Sequence, residues 1–170
     1  MDSGKRIILL AAQSYQDMEL WYPYYRMKEA GHAVEIASHQ KEKCVGKFGY
    51  PAEADLSFEE CSASLADAVI IPGGWAPDYI RRHKPAVDFV RQMFEKGKVV
   101  AAICHAGSVL VSAGILKGKK VTGYLAIRDD LINAGAQYHD AEVIVDGKLI
   151  TSRQPEDLPP FCKEILKALG

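Results

Sequence analysis

A cysteine followed directly by a histidine stands in the middle of residues 99–118, VVAAICHAGSVLVSAGILKG. The apolar run before Cys104 predicts a buried strand, and the small residues after it predict the start of a helix. A sharp turn between a strand and a helix is where hydrolases expose a nucleophile, and small residues let the two elements approach closely. A helix N-terminus also lowers the pKa of a thiol. Cys104 is therefore a candidate nucleophile, and the alternative is a buried, inert thiol.

Other groups near this turn can supply what nucleophilic chemistry needs. The N–H of His105 and an N–H of the Gly73–Gly74 turn, which follows another apolar strand, are candidate donors to an oxyanion. The His105 ring is a candidate proton-transfer group. Glu19 opens the helix after the first strand, so its carboxyl group is expected at the same sheet edge, where its protonated form can contact the Cys104 thiol. The alternative for Glu19 is a solvated acid that the helix dipole favours.

Neither a disulfide framework nor a metal site is predicted. The remaining cysteines form no CxxC pair and lack zinc-ligand spacing, and the remaining histidines are scattered. The segment GKFG at residues 46–49 lacks the Lys-Ser/Thr ending of a phosphate-binding loop, so it does not predict a nucleotide site. Cys44 and Cys61 lie in polar stretches, and Cys162 lies in an amphipathic helix. The remaining histidines are His32, His39, His83 and His139.

Strands and helices alternate along the chain, which is typical of an α/β protein with a mostly parallel sheet and helices on both faces. Ligands bind such sheets beyond the carboxyl ends of the strands, where Cys104 and the Gly73–Gly74 turn both fall. The predicted strands are 6–12, 32–38, 66–74, 99–104 and 119–124, with a hairpin at 141–152. The predicted helices are 17–31, 76–82, 85–97, 106–118, 127–135 and 155–169.

Two segments bear on the surface of the protein. Glycines and a proline interrupt residues 41–60, which predicts a hairpin or excursion in place of a helix. The large apolar residues of the first helix are expected to pack in the core and in an interface, and they are Met18, Trp21, Tyr22 and Tyr25.

The charge balance argues against binding to polyanions. The 21 Lys and Arg residues nearly cancel the 22 Asp and Glu residues, so neither nucleic acid nor an anionic membrane is an expected partner. No stretch approaches the ~18 apolar residues needed to cross a bilayer. The apolar run Ile7–Ala12 is too short for a signal peptide, so we expect a cytoplasmic protein with one domain over residues 1–170.

Six segments of the chain share the pattern of one family: MELWYPYYRMKEAGHAVEIAS, VIIPGGWAPDYIRR, AICHAGSVLVSAGILKGKKVT, INAGA, EVIVDGKLITSR and PEDLP. They resemble the PfpI family (intracellular protease I) of the ThiJ/PfpI superfamily. The resemblance runs from about residue 5 to the end of the chain with hardly a gap. It implies a flavodoxin-like three-layer sandwich related to the class I glutamine amidotransferases.

The resemblance also implies a role for each candidate residue. Cys104 matches the family's nucleophile, and Glu19 matches the acidic residue that contacts that thiol. His105 matches the histidine of the proposed protease triad, and Gly74 lies at the turn on the oxyanion side. Asp78 stands where archaeal members have a glutamate that a neighbouring subunit supplies to the triad. A homo-oligomer, either a dimer or a hexamer, is therefore implied.

Three functions follow from these residues and the resemblance. The tail TSRQPEDLPPF and Asp78 resemble bacterial stress-response members, so the leading prediction is a cofactor-free enzyme acting on reactive dicarbonyls or early glycation adducts, of the glyoxalase III or deglycase type. In that enzyme the Cys104 thiolate attacks an aldehyde carbon, and Glu19 or His105 moves a proton between carbons. The first alternative is an intracellular cysteine peptidase acting on peptides, with Asp78 from a neighbouring subunit. The second alternative is a redox-sensing or chaperone-like stress protein without turnover.

Overall fold

The computed structural model describes residues 4–170, and its centre is a seven-stranded sheet. The strands are β1 (Arg6–Leu10), β2 (Ala33–Ser38), β3 (Lys43–Val45), β4 (Pro51–Glu53), β5 (Leu56–Ser57), β6 (Ala68–Ile71), β7 (Val99–Ile103), β8 (Lys120–Val121), β9 (Gln137–Tyr138), β10 (Val143–Asp146) and β11 (Leu149–Ser152). The sheet has the order β10-β11-β7-β6-β1-β2-β5. Within the described residues its neighbouring strands are parallel, apart from the antiparallel pair β10 and β11.

Helices cover both faces of this sheet. They are α1 (Asp17–Glu29), α2 (Ala76–Ile80), α3 (Lys84–Glu95), α4 (Gly107–Ala113), α5 (Arg128–Asn133) and α6 (Leu158–Leu169). Helix α1 packs beside α6, whereas α2, α3 and α5 pack against α4. None of the helices in residues 4–170 combines the length and apolarity needed to cross a membrane.

The core lies between the central strands and these helices. Strands β6 and β7 are buried along their whole length, and β1 is buried after its first residue. Continuous apolar strands are expected where helices cover both faces of a parallel sheet, and each fully buried Val, Leu or Ile contributes about 1.5–3 kcal/mol. Among the crossover-linked strands, β2-β1-β6-β7-β11 has the flavodoxin-like order 2-1-3-4-5. The predicted α/β sandwich with a mostly parallel sheet is confirmed.

Two element predictions are wrong in extent. The helix predicted over 106–118 ends at Ala113, because Gly114 adopts a left-handed backbone with φ +70° and closes the helix. The strand predicted over 119–124 is only β8, which pairs with β9 outside the main sheet. It ends there because the next residue, Thr122, donates its N–H to the Thr151 side chain at 2.9 Å.

The surface predictions are confirmed in part. Residues 41–60 do form an excursion, whose first part is the β3–β4 hairpin. The core assignment is wrong for Met18, Tyr22 and Tyr25, which are 58%, 39% and 60% exposed, because α1 buries its other side against the sheet. Their packing in an interface stays a prediction. Cys44 is not in polar surroundings but buried, with Ser38 as its partner at 3.3 Å between Oγ and Sγ.

Candidate active site

Three neighbouring strands of the parallel sheet end side by side, and a predicted site residue follows each of them. Glu19 lies on α1 after β1, Gly74 follows β6, and Cys104 follows β7. With His105 they line a cavity of about 210 Å³. This is the edge at which doubly wound sheets bind ligands, close to where the strand order reverses. The structure therefore brings together the site residues predicted from the sequence, apart from Asp78.

Cys104 occupies an unusual backbone conformation. Its φ is +62°, in the left-handed region that residues with a side chain rarely adopt. A 3₁₀ turn over Cys104–Ala106 joins β7 to α4, and the N–H of Tyr124 donates to the Cys104 carbonyl at 3.1 Å. Such a conformation costs on the order of 1–3 kcal/mol and persists only where the surroundings impose it. The strand–turn–helix geometry predicted at this cysteine is present.

Gly73 makes the close contact between the cysteine and the acid possible. A Cβ atom added at Gly73 would lie 2.6 Å from Cys104 Cβ, 2.6 Å from Glu19 Oε2 and 2.9 Å from Cys104 Sγ. The Gly73 N–H donates to Glu19 Oε2 at 2.7 Å. Only glycine fits here, since any side chain would separate the thiol from the carboxyl group.

Two backbone amides act on the sulfur of Cys104. The N–H groups of His105 and Gly74 interact with Sγ and favour its negatively charged form. Gly74 has φ +76°, and a Cβ there would lie 2.5 Å from both Gln16 N and Ser14 O. The role of these two amides as donors to an oxyanion stays a prediction.

Glu19 is a buried acid with no exposed surface. Burial raises its pKa from 4.5 to about 7, although the Gly73 N–H, the Cys104 thiol and the Lys47 charge act to lower it. Its Oε1 atom has no hydrogen-bond partner within residues 4–170. Near neutral pH a large fraction of Glu19 is therefore protonated and carries an O–H group next to the thiol.

The sequence predicted that a helix N-terminus lowers the pKa of Cys104, and this prediction is wrong while Glu19 is ionised. Burial, and after it the Glu19 carboxylate, raise the pKa of Cys104 to about 12, against the effect of the His105 and Gly74 amides. The helix that was expected to lower it is short, because α4 spans only Gly107–Ala113. Protonation of Glu19 removes the second of these effects, so the thiolate forms more readily beside the protonated acid than beside the carboxylate.

His105 lies on the side of the site next to α2, the helix that carries Asp78. His105 Nδ1 is 3.3 Å from Cys104 Sγ, and its ring stacks on Tyr124 with centroids 4.8 Å apart. Burial lowers the pKa of His105, and the Asp78 charge raises it. Asp78 lines a separate cavity of about 400 Å³ with His105, yet no hydrogen bond within the described chain joins the two. A triad completed by Asp78 of another subunit stays a prediction.

The sequence reasoning missed several residues of the cavity wall. Lys47 and Phe48 belong to the GKFG segment, which lies in the predicted excursion and lacks the pattern of a phosphate-binding loop. The missed signal is their position in an excursion that follows the carboxyl end of β2, at the sheet edge where ligands bind. Within residues 4–170 no cluster of metal-ligating side chains occurs. The other missed wall residues are Gln16, Trp75, Tyr124, Gln154 and Pro155.

The sequence of this chain is similar to those of known proteins. The sequence matches the DJ-1/PfpI family over residues 5–168. Deglycase PfpI from Pyrococcus furiosus is 48% identical over 164 residues, which cover 96% of this chain and 99% of that relative. Protein/nucleic acid deglycase 2 from Escherichia coli is 40% identical over 170 residues, with 98% and 99% covered.

A solved structure gives the same result. The crystal structure of a two-domain protein from Anabaena variabilis, with DJ-1/ThiJ/PfpI-like and ferritin-like domains, superposes with a TM-score of 0.96 at 45% identity. The match covers 98% of this chain and spans about half of that protein, 48% of its length.

Proposed function

This chain belongs to the DJ-1/PfpI family, and we propose that it is a cofactor-free stress-protection enzyme whose Cys104 attacks reactive dicarbonyls or their early adducts with amines. The placement of the Cys104 sulfur carries this proposal: it lies against a buried acid, Glu19, and two backbone N–H groups. The names of the deglycase relatives support the same substrate class. The cavity of about 210 Å³ suits a small carbonyl compound, since drug-sized ligands occupy roughly 300–1,000 Å³.

The first step is addition of the thiolate to the aldehyde carbon of a dicarbonyl such as methylglyoxal. A bond forms between Cys104 Sγ and carbon 1, and the carbonyl electron pair becomes an alkoxide. The N–H groups of His105 and Gly74, which favour the charged form of the sulfur, are the candidate donors to this alkoxide. Glu19 then gives its proton to the alkoxide, which leaves a neutral hemithioacetal and a Glu19 carboxylate.

The second step moves a proton from carbon 1 to carbon 2. Glu19, now ionised, is the first candidate base, and His105 is the second because its Nδ1 lies 3.3 Å from the sulfur. The hydroxyl proton on the carbon 1 oxygen passes to the carbon 2 oxygen, and together the two transfers convert the hemithioacetal into a thioester of Cys104. Water hydrolyses this thioester, which releases lactate and restores the thiol and the acid. The sum of the steps is methylglyoxal plus water giving lactic acid.

Deglycation uses the same groups. The substrate is then the aminocarbinol formed between a dicarbonyl and an amine. The Cys104 thiolate displaces the amine from carbon 1, so a carbon–sulfur bond forms as the carbon–nitrogen bond breaks, and Glu19 gives its proton to the leaving nitrogen. The product is the same hemithioacetal, which continues as above. Cys104 and Glu19 have the same roles in both reactions, so the two activities are expected to be lost together when either side chain is replaced.

A cysteine peptidase is the second candidate function, and the distance of 3.3 Å between His105 Nδ1 and Cys104 Sγ favours it. In this reaction His105 is the base, and Asp78 of a neighbouring copy orients its ring. Such a triad requires an oligomer. A monomeric form that keeps full peptidase activity would exclude it.

One experiment separates these functions. Wild type and Cys104→Ser, both shown to be folded by circular dichroism, are compared for turnover of methylglyoxal, a glycated peptide and an unmodified peptide. We expect the serine variant to lose both carbonyl activities by at least about 100-fold, because its hydroxyl is a far weaker nucleophile. Equal methylglyoxal turnover in the two proteins contradicts the proposal. Loss of peptide hydrolysis alone favours the peptidase, and oxidation of Cys104 without any turnover favours a redox sensor.

A further inference from the structure

The β3–β4 hairpin holds Lys47 at the rim of the site cavity. The N–H of Lys47 donates to the Tyr15 carbonyl at 2.7 Å. The Asp17 carboxylate accepts the N–H groups of Phe48 and Tyr50 at 2.8 and 3.0 Å. These bonds tie the hairpin tip to the first turn of α1, which also carries Glu19. Lys47 is therefore presented to the cavity by a fixed backbone.

Close packing at the hairpin reinforces this placement. A Cβ atom added at Gly46 would lie 2.3 Å from Asp17 Oδ1, so the carboxylate rests directly on the glycine backbone. The N–H of Ser14 donates to the Val45 carbonyl at 2.8 Å on the strand that leads into the tip. The hairpin and the loop after β1 thus form one unit around the cavity.

The ammonium group of Lys47 forms no ion pair in the described part of the chain. No carboxylate of residues 4–170 lies within 4 Å of its ammonium group. Its charge nevertheless reaches the reacting groups, since it acts to lower the pKa of both Glu19 and His105. Glu156 is a carboxylate that acts on Glu19 in the opposite sense, but it is not part of the cavity wall. Once Glu19 is protonated, Lys47 gives the cavity a positive rim.

We propose, building on the function proposed above, that Lys47 selects carbonyl substrates that carry a negative charge, and specifically small aldehydes with a carboxylate group. The ammonium attracts the carboxylate at the rim while the aldehyde carbon reaches Cys104. A cavity lined by a thiol, a neutral acid and one unpaired ammonium favours such an anion over a neutral dicarbonyl of the same size. Lys47 is a specificity residue in this scheme and takes no part in proton transfer.

Two alkylating reagents of nearly equal size test this charge preference directly. Iodoacetate and iodoacetamide react with Cys104 by the same displacement, in which a carbon–sulfur bond forms and iodide leaves, but only iodoacetate is charged. The ratio of their rate constants cancels any change in the pKa of Cys104, because both reagents need the same thiolate. Mass spectrometry assigns the modification to Cys104, and Cys104→Ser gives the background from the other thiols.

The ratio is measured for wild type, Lys47→Gln and Lys43→Gln. Lys43 is exposed on the same hairpin but lies outside the cavity wall, so its replacement removes an equal charge without touching the site. We expect Lys47→Gln to lower the iodoacetate-to-iodoacetamide ratio about 3- to 10-fold, and high salt to reduce the wild-type ratio toward it. Lys43→Gln should keep the wild-type ratio. An unchanged ratio in Lys47→Gln, or an equal fall in both variants, overturns the inference.

Glyoxal and glyoxylate extend the test to aldehydes. Both are two-carbon aldehydes, and only glyoxylate carries a carboxylate. Each adds reversibly to the thiolate, the proton passing to the new alkoxide, and thereby protects Cys104 from iodoacetamide. Lys47→Gln should need severalfold more glyoxylate for half protection and the same amount of glyoxal, and equal glyoxylate protection in the two proteins contradicts the selection. Failure of the proposed function has a different signature, namely no lactate from methylglyoxal while the charge preference persists.

Discussion

Replacing Gly73 with alanine tests whether the contact between Cys104 and Glu19 is what makes the thiol reactive. The new Cβ would lie 2.6 Å from both Cys104 Cβ and Glu19 Oε2, where ordinary contacts are 3.4–4 Å, so a neighbour must move by about 1 Å. Cys104 has little freedom to move, because its φ of +62° is already imposed. Glu19 is buried and bonded to the Gly73 N–H itself. We therefore expect the carboxyl group and the thiol to separate.

The cost in stability follows from the same contacts. Overpacking of this kind costs about 1–3 kcal/mol, and for a chain of this length about 2 kcal/mol corresponds to a fall in Tm of about 4–8 °C. The rate of Cys104 alkylation by iodoacetamide near neutral pH should fall at least about tenfold, because protonated Glu19 no longer supports the thiolate.

Thermal unfolding and alkylation kinetics measure both effects, with Gly97→Ala as the matched control. Gly97 has φ +66° and open space around it, so alanine there costs about 1–2 kcal/mol of backbone strain without a clash. It precedes β7 and lies at the end of that strand opposite Cys104. The control should lose stability and keep the wild-type alkylation rate. Wild-type alkylation and Tm in Gly73→Ala would refute the reasoning.

Three further predictions concern single side chains. Burial raises the pKa of Glu19 from 4.5 to about 7, so the folded state holds a proton that the unfolded state has released; relative to Glu19→Gln, wild type should lose about 3 kcal/mol of stability between pH 4 and pH 8 in urea titrations. His105→Asn should lower methylglyoxal turnover about 100-fold if His105 transfers the proton between the carbons. The loss should be less than threefold if Glu19 transfers that proton. In either case Cys104 should be alkylated at close to the wild-type rate. Asp17→Ala removes two hydrogen bonds from the hairpin tip and should lower stability by about 1–3 kcal/mol and the iodoacetate preference with it, whereas an unchanged preference would show that the clamp does not position Lys47.

The sequence alone predicts that Gly73, Cys104 and Glu19 lie close together in the folded protein. Buried apolar strands before Gly73 and Cys104, and a third before Glu19, predict a parallel sheet, and in such a sheet their carboxyl ends meet at one edge. The close approach was also readable, since a Pro-Gly-Gly turn suits a place where a backbone passes next to a side chain. The order of the elements and the residue types at their ends are enough to predict this close approach.

The pKa values of the groups in the site could not be predicted from the order of the elements and the residue types at their ends. A position after β7 predicts a helix dipole at Cys104, but the pKa of the thiol depends on its burial and on the ionisation of Glu19, which only three-dimensional packing sets. Lys47 was missed for a similar reason, because it reaches the cavity through a hairpin whose fold depends on hydrogen bonds that Asp17 accepts from residues more than thirty positions away. Its residue type and spacing carry no catalytic pattern.

The face of α1 that is buried could not be predicted from the sequence either. An apolar stripe at helical spacing predicts a buried face, yet Met18 and Tyr25 point outward, while Glu19 and Leu20 point inward. The helix buries an acid because that acid belongs to the site, so its pattern of burial does not follow hydrophobicity alone.

Lactate formation from methylglyoxal by wild type and Cys104→Ser, prepared in parallel and matched for folded content, tests the central claim most directly. If Cys104 is the nucleophile that protonated Glu19 supports, wild type produces lactate and the serine variant produces none above the uncatalysed rate. Lactate formation at equal rates in the two proteins would contradict the role of Cys104 and with it the proposed chemistry of the site.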